Sequence, residues 1–120
     1  MWELTKSFRF EAAHTLDDPN DRDNRYSRLH GHSFRARVTV EGEPNAHGWV
    51  VDLGELERRL GAVRENLDHR FLNEVDGLGL PTLENICAYI WRAIAADVPG
   101  LSEVAVYRDS CGEGCVYRGI

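Results

Sequence analysis

Hydrophobic and polar residues alternate along two stretches of the chain, residues 2–14 and 30–41. The apolar side chains of both stretches fall on even positions: Trp2, Leu4, Phe8, Phe10 and Ala12 in the first, and Phe34, Ala36, Val38 and Val40 in the second. A period of two residues is typical of a strand with one buried face. The sequence therefore predicts two strands that pair in antiparallel fashion and turn their even face toward the core.

A different spacing follows in the middle of the chain. Apolar residues recur every three or four positions over 53–67 and again over 83–94, which predicts two helices that each bury one stripe. Asp52 and Thr82 stand where N-cap residues are expected. Glu55 follows Asp52 at the spacing of a capping box.

Two short strands, near 102–108 and 115–118, are predicted to close the chain. The resulting order, ββααββ, fits an α+β domain with a four-stranded antiparallel sheet and both helices on one face. A chain of 120 residues has the length of a single domain, 1–120. The polar segment 15–29 separates the first two strands, and a loop of that length in a small domain is usually functional.

The charge balance narrows the range of partners. Lys and Arg number 14 and Asp and Glu number 20, so the formal net charge is −6, which argues against a general binder of nucleic acid or anionic membranes. No stretch approaches the roughly 18 apolar residues of a membrane helix, and the first residues lack the layout of a secretory signal. We therefore expect a cytoplasmic protein without nucleic-acid or membrane partners, in which Cys87, Cys111 and Cys115 are reduced.

Three of the five histidines share the apolar face of the predicted hairpin. His30 and His32 flank Gly31, so their side chains point to the same side of a strand, and His14 ends the even face of the first strand. Pairing the two strands brings the three imidazoles to one corner of the sheet. Imidazole suits zinc, and three protein ligands with an open fourth position are typical of catalytic zinc.

Other interpretations of these residues stay open. Cys111 and Cys115 could join His30 and His32 in a closed Cys2His2 site, although CGEGC also has the composition of a hairpin turn. A purely structural zinc ion is a further possibility, and removing it would then unfold the domain. His47 lies in a turn region and follows no pattern, so we expect it on the surface.

Six motifs are spread along the chain: FEAAH at 10–14, RLHGHSF at 28–34, GWVVDLGEL at 48–56, LDHRFLN at 67–73, PTLEN at 81–85 and CVYRGI at 115–120. They resemble the motifs of the 6-pyruvoyltetrahydropterin synthase family, and most closely those of its bacterial branch, 6-carboxytetrahydropterin synthase. The resemblance implies the tunnelling fold, in which two stacked trimers form a homohexamer with active sites at subunit interfaces. It also implies a zinc-dependent lyase that converts 7,8-dihydroneopterin triphosphate to 6-carboxy-5,6,7,8-tetrahydropterin on the path to queuosine.

The resemblance further implies roles for individual residues. The family's zinc ligands correspond to His14, His30 and His32, and its catalytic Asp-His pair corresponds to Asp68 and His69. The family has a glutamate that holds the pterin and joins the proton relay, and Asp109 stands at that position.

Further candidates for substrate contact come from the loop and from PTLEN. Thr82 and Glu84 are candidate substrate-binding residues, although both also suit the start of a helix. Arg22, Arg25 and Arg28 could receive the triphosphate.

One position departs from the family pattern. The catalytic cysteine of the bacterial branch lies four residues before the first histidine of HGH, where this chain has Tyr26, and residues 15–29 contain no cysteine. Tyrosine, with a reference pKa of about 10, is a poor base at neutral pH, although Tyr26 could act as an acid or fill the pocket. Asp21 or Asp23 could substitute as the base.

Two classes of function therefore remain open. The chain could be an enzyme that retains the synthase reaction through another base, or that catalyses a related aldolase or epimerase step. It could instead be a homologue that binds a pterin or purine-like ligand without turnover.

Overall fold

Two long strands and two helices are the main elements of the chain, as the hydrophobic pattern predicts. The computed structural model describes residues 1–16, 20 and 23–119, so the candidates Asp21 and Arg22 lie outside the described residues. The elements, in chain order, are β1 (Trp2–His14), β2 (His30–Gly42), α1 (Leu53–Leu67), β3 (Arg70–Phe71), α2 (Leu83–Ile94), β4 (Leu101–Arg108) and β5 (Glu113–Tyr117).

The sheet has five strands in the order β3-β1-β2-β4-β5. The pairs β1–β2, β2–β4 and β4–β5 are antiparallel, but β3 runs parallel to β1, with Arg70 beside Ala12 and Phe71 beside Ala13. The prediction of a four-stranded, purely antiparallel sheet in ββααββ order is therefore wrong at this edge. A strand of two residues is too short to show an alternating pattern, and its pairing follows from where the chain leaves α1.

The even face of the sheet forms the core, as predicted. Phe10 lies opposite Phe34 in the β1–β2 register, and the two rings stack with their centroids 4.8 Å apart. Both helices cover this face, and their buried side chains include Leu56 and Leu60 from α1 and Ile90 from α2. The end of β1 and the start of β2, at His14 and His30, lie beyond this aromatic pair.

Both helices begin at the predicted residues. The Asp52 carboxylate accepts hydrogen bonds from the backbone N–H groups of Gly54 and Glu55, and the Thr82 hydroxyl accepts one from Asn85. Glu55 directs its own carboxylate to arginines of the next turn of α1 and closes no capping box. Among the described residues, no helix is long and apolar enough to cross a membrane.

Candidate metal centre

The register of the first hairpin brings three histidines together. His14 lies opposite His30, and His32 lies opposite Ala12, so all three rings project from the same face at the same end of the sheet. Their ring centroids are 4.5 to 5.1 Å apart, and one nitrogen of each ring lies within 4.8 Å of the others. The structure thus brings together the triad predicted from strand phase, whereas its binding of zinc stays a prediction.

Hydrogen bonds orient two of these rings. Nδ1 of His14 lies 2.9 Å from the carbonyl oxygen of Pro81, and Nδ1 of His30 lies 2.6 Å from that of Arg28. A carbonyl only accepts hydrogen bonds, so each Nδ1 carries the proton and each Nε2 keeps its lone pair. This is the usual arrangement of histidines that bind a metal.

The Nε2 atoms of the triad are also suited to bind a metal ion. In His14, His30 and His32, this atom is buried and has no hydrogen-bond partner among the described residues. An unsatisfied buried polar atom is costly, and one cation among three such neighbouring atoms would satisfy them together. The residues therefore fit a divalent ion with nitrogen ligands.

Burial lowers the pKa of two of the three histidines. Desolvation lowers the pKa of His14 from 6.5 to about 4, assisted by the neighbouring His30, His32 and Arg108 and opposed by the hydrogen bond to Pro81. Burial is also the main reason why the pKa of His32 is lowered, with Arg108 next. Near neutral pH these two rings are thus neutral, which is the form that binds a metal ion.

The predicted Asp-His pair lies where the chain leaves α1 and docks on the outer edge of β1. The backbone N–H of His69 donates to the carbonyl oxygen of Glu11 at 2.6 Å, and the Glu11 N–H donates to Oδ1 of Asp68 at 2.9 Å. Nδ1 of His69 lies 3.0 Å from Oδ2 of Asp68. The Glu11 N–H is the main cause of the lowered pKa of Asp68, and His69 and Arg64 add to it. The two side chains therefore form a direct pair.

The backbone of His69 is unusual. Its φ of +58° is the only positive value at a non-glycine residue among the described residues, and it lies in the left-handed region that side chains with a Cβ disfavour. The imidazole is 78% exposed. Strain of this kind persists where the surrounding structure imposes it, and it is often found at functional sites.

Two cavities flank the start of β2. The first, of about 690 Å³, is lined by Glu11, His32, His69 and Ser110 among others. The second, of about 510 Å³, is lined by Arg25, Tyr26, His30, His32, Cys111 and Glu113. His32 is the residue that lines both cavities, and His69 lines the first of them.

Tyr26 lies in the second cavity, beside His30 and His32. Its hydroxyl accepts a hydrogen bond of 2.8 Å from Arg25, whose guanidinium lies over the Tyr26 ring. Of the predicted phosphate-binding arginines, Arg25 lines this cavity, while Arg28 holds His30 through its backbone carbonyl.

The other predicted substrate-binding residues lie outside both cavities in the single chain. The Asp109 carboxylate pairs in bidentate fashion with Arg35, at 2.9 and 3.2 Å, and this pairing lowers the pKa of Asp109. Thr82 caps α2, and Glu84 lies exposed in its first turn. The assigned roles of Asp109, Thr82 and Glu84 in substrate binding stay predictions.

Sequence reasoning missed Glu11 and considered Cys111 only as a ligand of the Cys2His2 alternative. Glu11 lies on the polar face of β1, where its carboxylate accepts a hydrogen bond from Ser33 at 2.6 Å. Its place in FEAAH, three residues before the first histidine, was an available signal. The Cys111 sulfur lies 3.8 Å from Nδ1 of His32, whereas Cys115 contacts Cys87. The described residues therefore do not assemble the Cys2His2 alternative.

Comparison with known proteins adds independent information. The sequence profile of the family described as "6-pyruvoyl tetrahydropterin synthase" matches residues 3–120. A 6-carboxy-5,6,7,8-tetrahydropterin synthase from Synechocystis is 40% identical, over 98% of this chain and 93% of the relative. A dihydroneopterin monophosphate aldolase from Pyrococcus furiosus is 37% identical, over 88% and 83%.

Solved structures agree at the level of the fold. The 6-pyruvoyl tetrahydropterin synthase of Caenorhabditis elegans superposes with a TM-score of 0.87 at 24% identity, over 99% of this chain and 96% of that one. The Plasmodium vivax protein of the same name gives a TM-score of 0.76 at 18% identity, over 97% and 96%. These similarities place the α+β architecture among the structures of such synthases.

Proposed function

Since this chain belongs to the 6-pyruvoyl tetrahydropterin synthase family, we propose that it is a zinc-dependent enzyme that converts 7,8-dihydroneopterin triphosphate to 6-carboxy-5,6,7,8-tetrahydropterin. The observation that carries the proposal is the set of three buried, unpartnered Nε2 atoms next to a cavity that also contains His69. Together they supply a metal site and a proton-transfer group for one substrate.

His14, His30 and His32 would hold Zn²⁺ through Nε2. When bound, the ion supplies a Lewis acid that polarises side-chain oxygens of the pterin. The carbonyls of Pro81 and Arg28 keep the first two rings in the tautomer that this requires.

His69 would move the proton. Asp68 accepts its Nδ1–H, which leaves Nε2 as the basic nitrogen of the ring. Because the Glu11 N–H lowers the pKa of Asp68, this carboxylate stays ionised at neutral pH and stabilises the imidazolium formed when His69 takes a proton.

The remaining substrate contacts would be completed between subunits. Asp109 would hold the guanidine-like edge of the pterin, with Thr82 and Glu84 as further contacts, and Arg25 would receive the triphosphate. Asp109, Thr82 and Glu84 lie outside the cavities lined by His32 in one chain. That placement is the reason to propose that a second subunit completes the site, in the homohexamer of two stacked trimers that the family resemblance implies.

Tyr26 supports a second candidate function. Because it stands where the bacterial branch has its cysteine base, the chain could bind a pterin or purine-like ligand without turnover. An aldolase reaction on the same side chain is a further form of the enzymatic proposal, and the relative named as an aldolase supports it.

The decisive experiment incubates the zinc-loaded protein with 7,8-dihydroneopterin triphosphate and follows products by mass spectrometry. We expect 6-carboxytetrahydropterin, with acetaldehyde and triphosphate released. A side chain shortened by aldol cleavage would identify the aldolase instead, and tight binding without product under any metal load would identify the binding protein.

The Tyr26→Cys variant tests the missing base, with Tyr26→Ser as its matched control. Tyr26→Ser removes the ring without adding a thiol. A gain of synthase turnover in the cysteine variant alone would show that the rest of the site is intact.

A further inference from the structure

The three imidazoles of the triad are not held in the same way. In His14 and His30, Nδ1 faces a backbone carbonyl at 2.9 and 2.6 Å. In His32, Nδ1 faces the sulfur of Cys111 at 3.8 Å. The orientation of this one ring is therefore set by a side chain, and by one whose sulfur is a weak acceptor.

The turn between β4 and β5 fixes the position of Cys111. Residues Asp109–Cys111 form a single 3₁₀ turn, which Gly112 ends at a φ of +67° while its N–H donates to the Asp109 carbonyl. Ion pairs anchor the turn at both ends, because Arg35 binds Asp109 and Arg108 binds Glu113 at 2.8 Å. The thiol is thus delivered to His32 by a turn that is held in place.

We propose that Cys111 is a positioning residue for His32: its sulfur accepts the Nδ1–H and so presents Nε2 to the metal. The inference rests on the proposed metal site. The sulfur contacts Nδ1, and Nε2 is the buried atom without a partner, so Cys111 acts behind the ring and is not itself a ligand. It takes the place that backbone carbonyls occupy behind the other two rings.

This role has a measurable consequence for metal affinity. Removing the group that orients a ligating histidine typically weakens metal binding by about 10- to 100-fold. The Cys111 contact is long and its acceptor is weak, so we expect the low end of that range. A hydroxyl is a stronger acceptor than a thiol, so Cys111→Ser should recover part of the loss.

The first test measures zinc affinity by competition with a chromophoric chelator. We expect Cys111→Ala to weaken binding about tenfold, with Cys111→Ser between it and the parent protein. Cys115→Ser is the matched control, since Cys115 contacts Cys87 rather than the triad, and its affinity should be unchanged. Equal affinities of the parent and Cys111→Ala proteins would overturn the proposal.

Cobalt substitution separates positioning from direct ligation. A sulfur bound to Co²⁺ gives an intense charge-transfer band in the near ultraviolet, whereas three nitrogens give only the weaker visible bands. We expect no charge-transfer band, together with a shift of the visible bands in Cys111→Ala. A charge-transfer band lost in that variant would make Cys111 a ligand and refute the inference.

A measurement of the His32 tautomer in the metal-free protein tests the positioning role of Cys111 independently of the proposed function. Long-range nitrogen–proton NMR correlations should show the proton on Nδ1 in the parent protein and a mixture of tautomers in Cys111→Ala. If no zinc binds but this change is seen, the proposed function fails while the positioning role stands. If zinc binds and the tautomer does not respond to Cys111, only the positioning role fails.

Discussion

His69 stores backbone strain at the point where the proposed proton-transfer group meets the sheet. Its φ of +58° persists because Glu11 holds the segment at two points, through its carbonyl to the His69 N–H and through its N–H to Asp68. The same two bonds place the imidazole beside the Asp68 carboxylate. The positive φ of His69, which lowers the stability of the fold, is thus also what places its imidazole beside Asp68.

The strain at position 69 predicts a difference between two truncations. His69→Gly should be more stable than His69→Ala by roughly 1 kcal/mol, because glycine adopts a positive φ without a Cβ clash. Both variants should lose activity. Urea unfolding measures the difference, and the same two substitutions at His47, whose φ is not positive, serve as the control. Equal stabilities of the two position-69 variants would contradict the strain.

Among the elements, those that the sequence predicts well are long and periodic. The 13 residues of β1, the 13 of β2 and the 15 of α1 each repeat their apolar pattern enough times to be recognised. The two residues of β3 carry no such repeat. Their pairing depends on contacts between distant parts of the chain, which no local pattern encodes.

The residues of the candidate site also fall into two groups, those that a local pattern predicts and those that depend on distant contacts. His14, His30 and His32 follow from the strand period and the pairing of one hairpin, so the sequence predicts their convergence. The contact between Cys111 and His32 spans 79 positions and depends on the turn after β4. The sequence alone offers the two residues together only as ligands of a closed Cys2His2 site, because the geometry of that turn, which places the sulfur beside Nδ1, is not encoded in a local pattern.

Substitutions at two glycines test the backbone conformation and packing around them. Gly61 lies in α1 with open space around its missing Cβ, so Gly61→Ala should stabilise the protein by about 0.5–1 kcal/mol, because alanine loses less backbone entropy in a helix. Gly100 has a φ of +85° and packs against the Glu41 carbonyl, so Gly100→Ala should destabilise it. Thermal unfolding compares the two, and destabilisation by Gly61→Ala would show that α1 is packed differently.

The residues of the proposed site come from separate parts of the chain. The hairpin ends supply the triad, the exit of α1 supplies Asp68 and His69, and the turn after β4 supplies Cys111. Phe34 of the hydrophobic core contacts the rings of His14 and His32, but the core continues along the sheet to Val38 and Val40 and over both helices. The fold should therefore survive removal of the ion.

The buried His14 predicts how the metal-free protein responds to acid. Its pKa in the folded state is lowered to about 4, below the 6.5 or so of an unfolded chain. Protonation therefore favours unfolding, and the stability present above about pH 6.5 should fall as the pH drops toward 4, by roughly 1.4 kcal/mol for each pH unit in that range.

Urea unfolding of the metal-free protein across this range measures the effect. The pH dependence should shrink in His14→Asn, which removes the titrating ring, and remain in His47→Ala. An unchanged pH dependence in His14→Asn would assign it to other groups.

A single imidazole forms the common wall of two cavities, of about 690 and 510 Å³. A chelating fragment seated beside Tyr26 and a flat heterocycle seated beside His69 would both lie against His32, the residue that lines both cavities. Joining the fragments by a short tether makes the second binding event intramolecular, at an effective concentration of about millimolar. Inhibitor chemistry for this protein would accordingly start from bivalent compounds that straddle this ring.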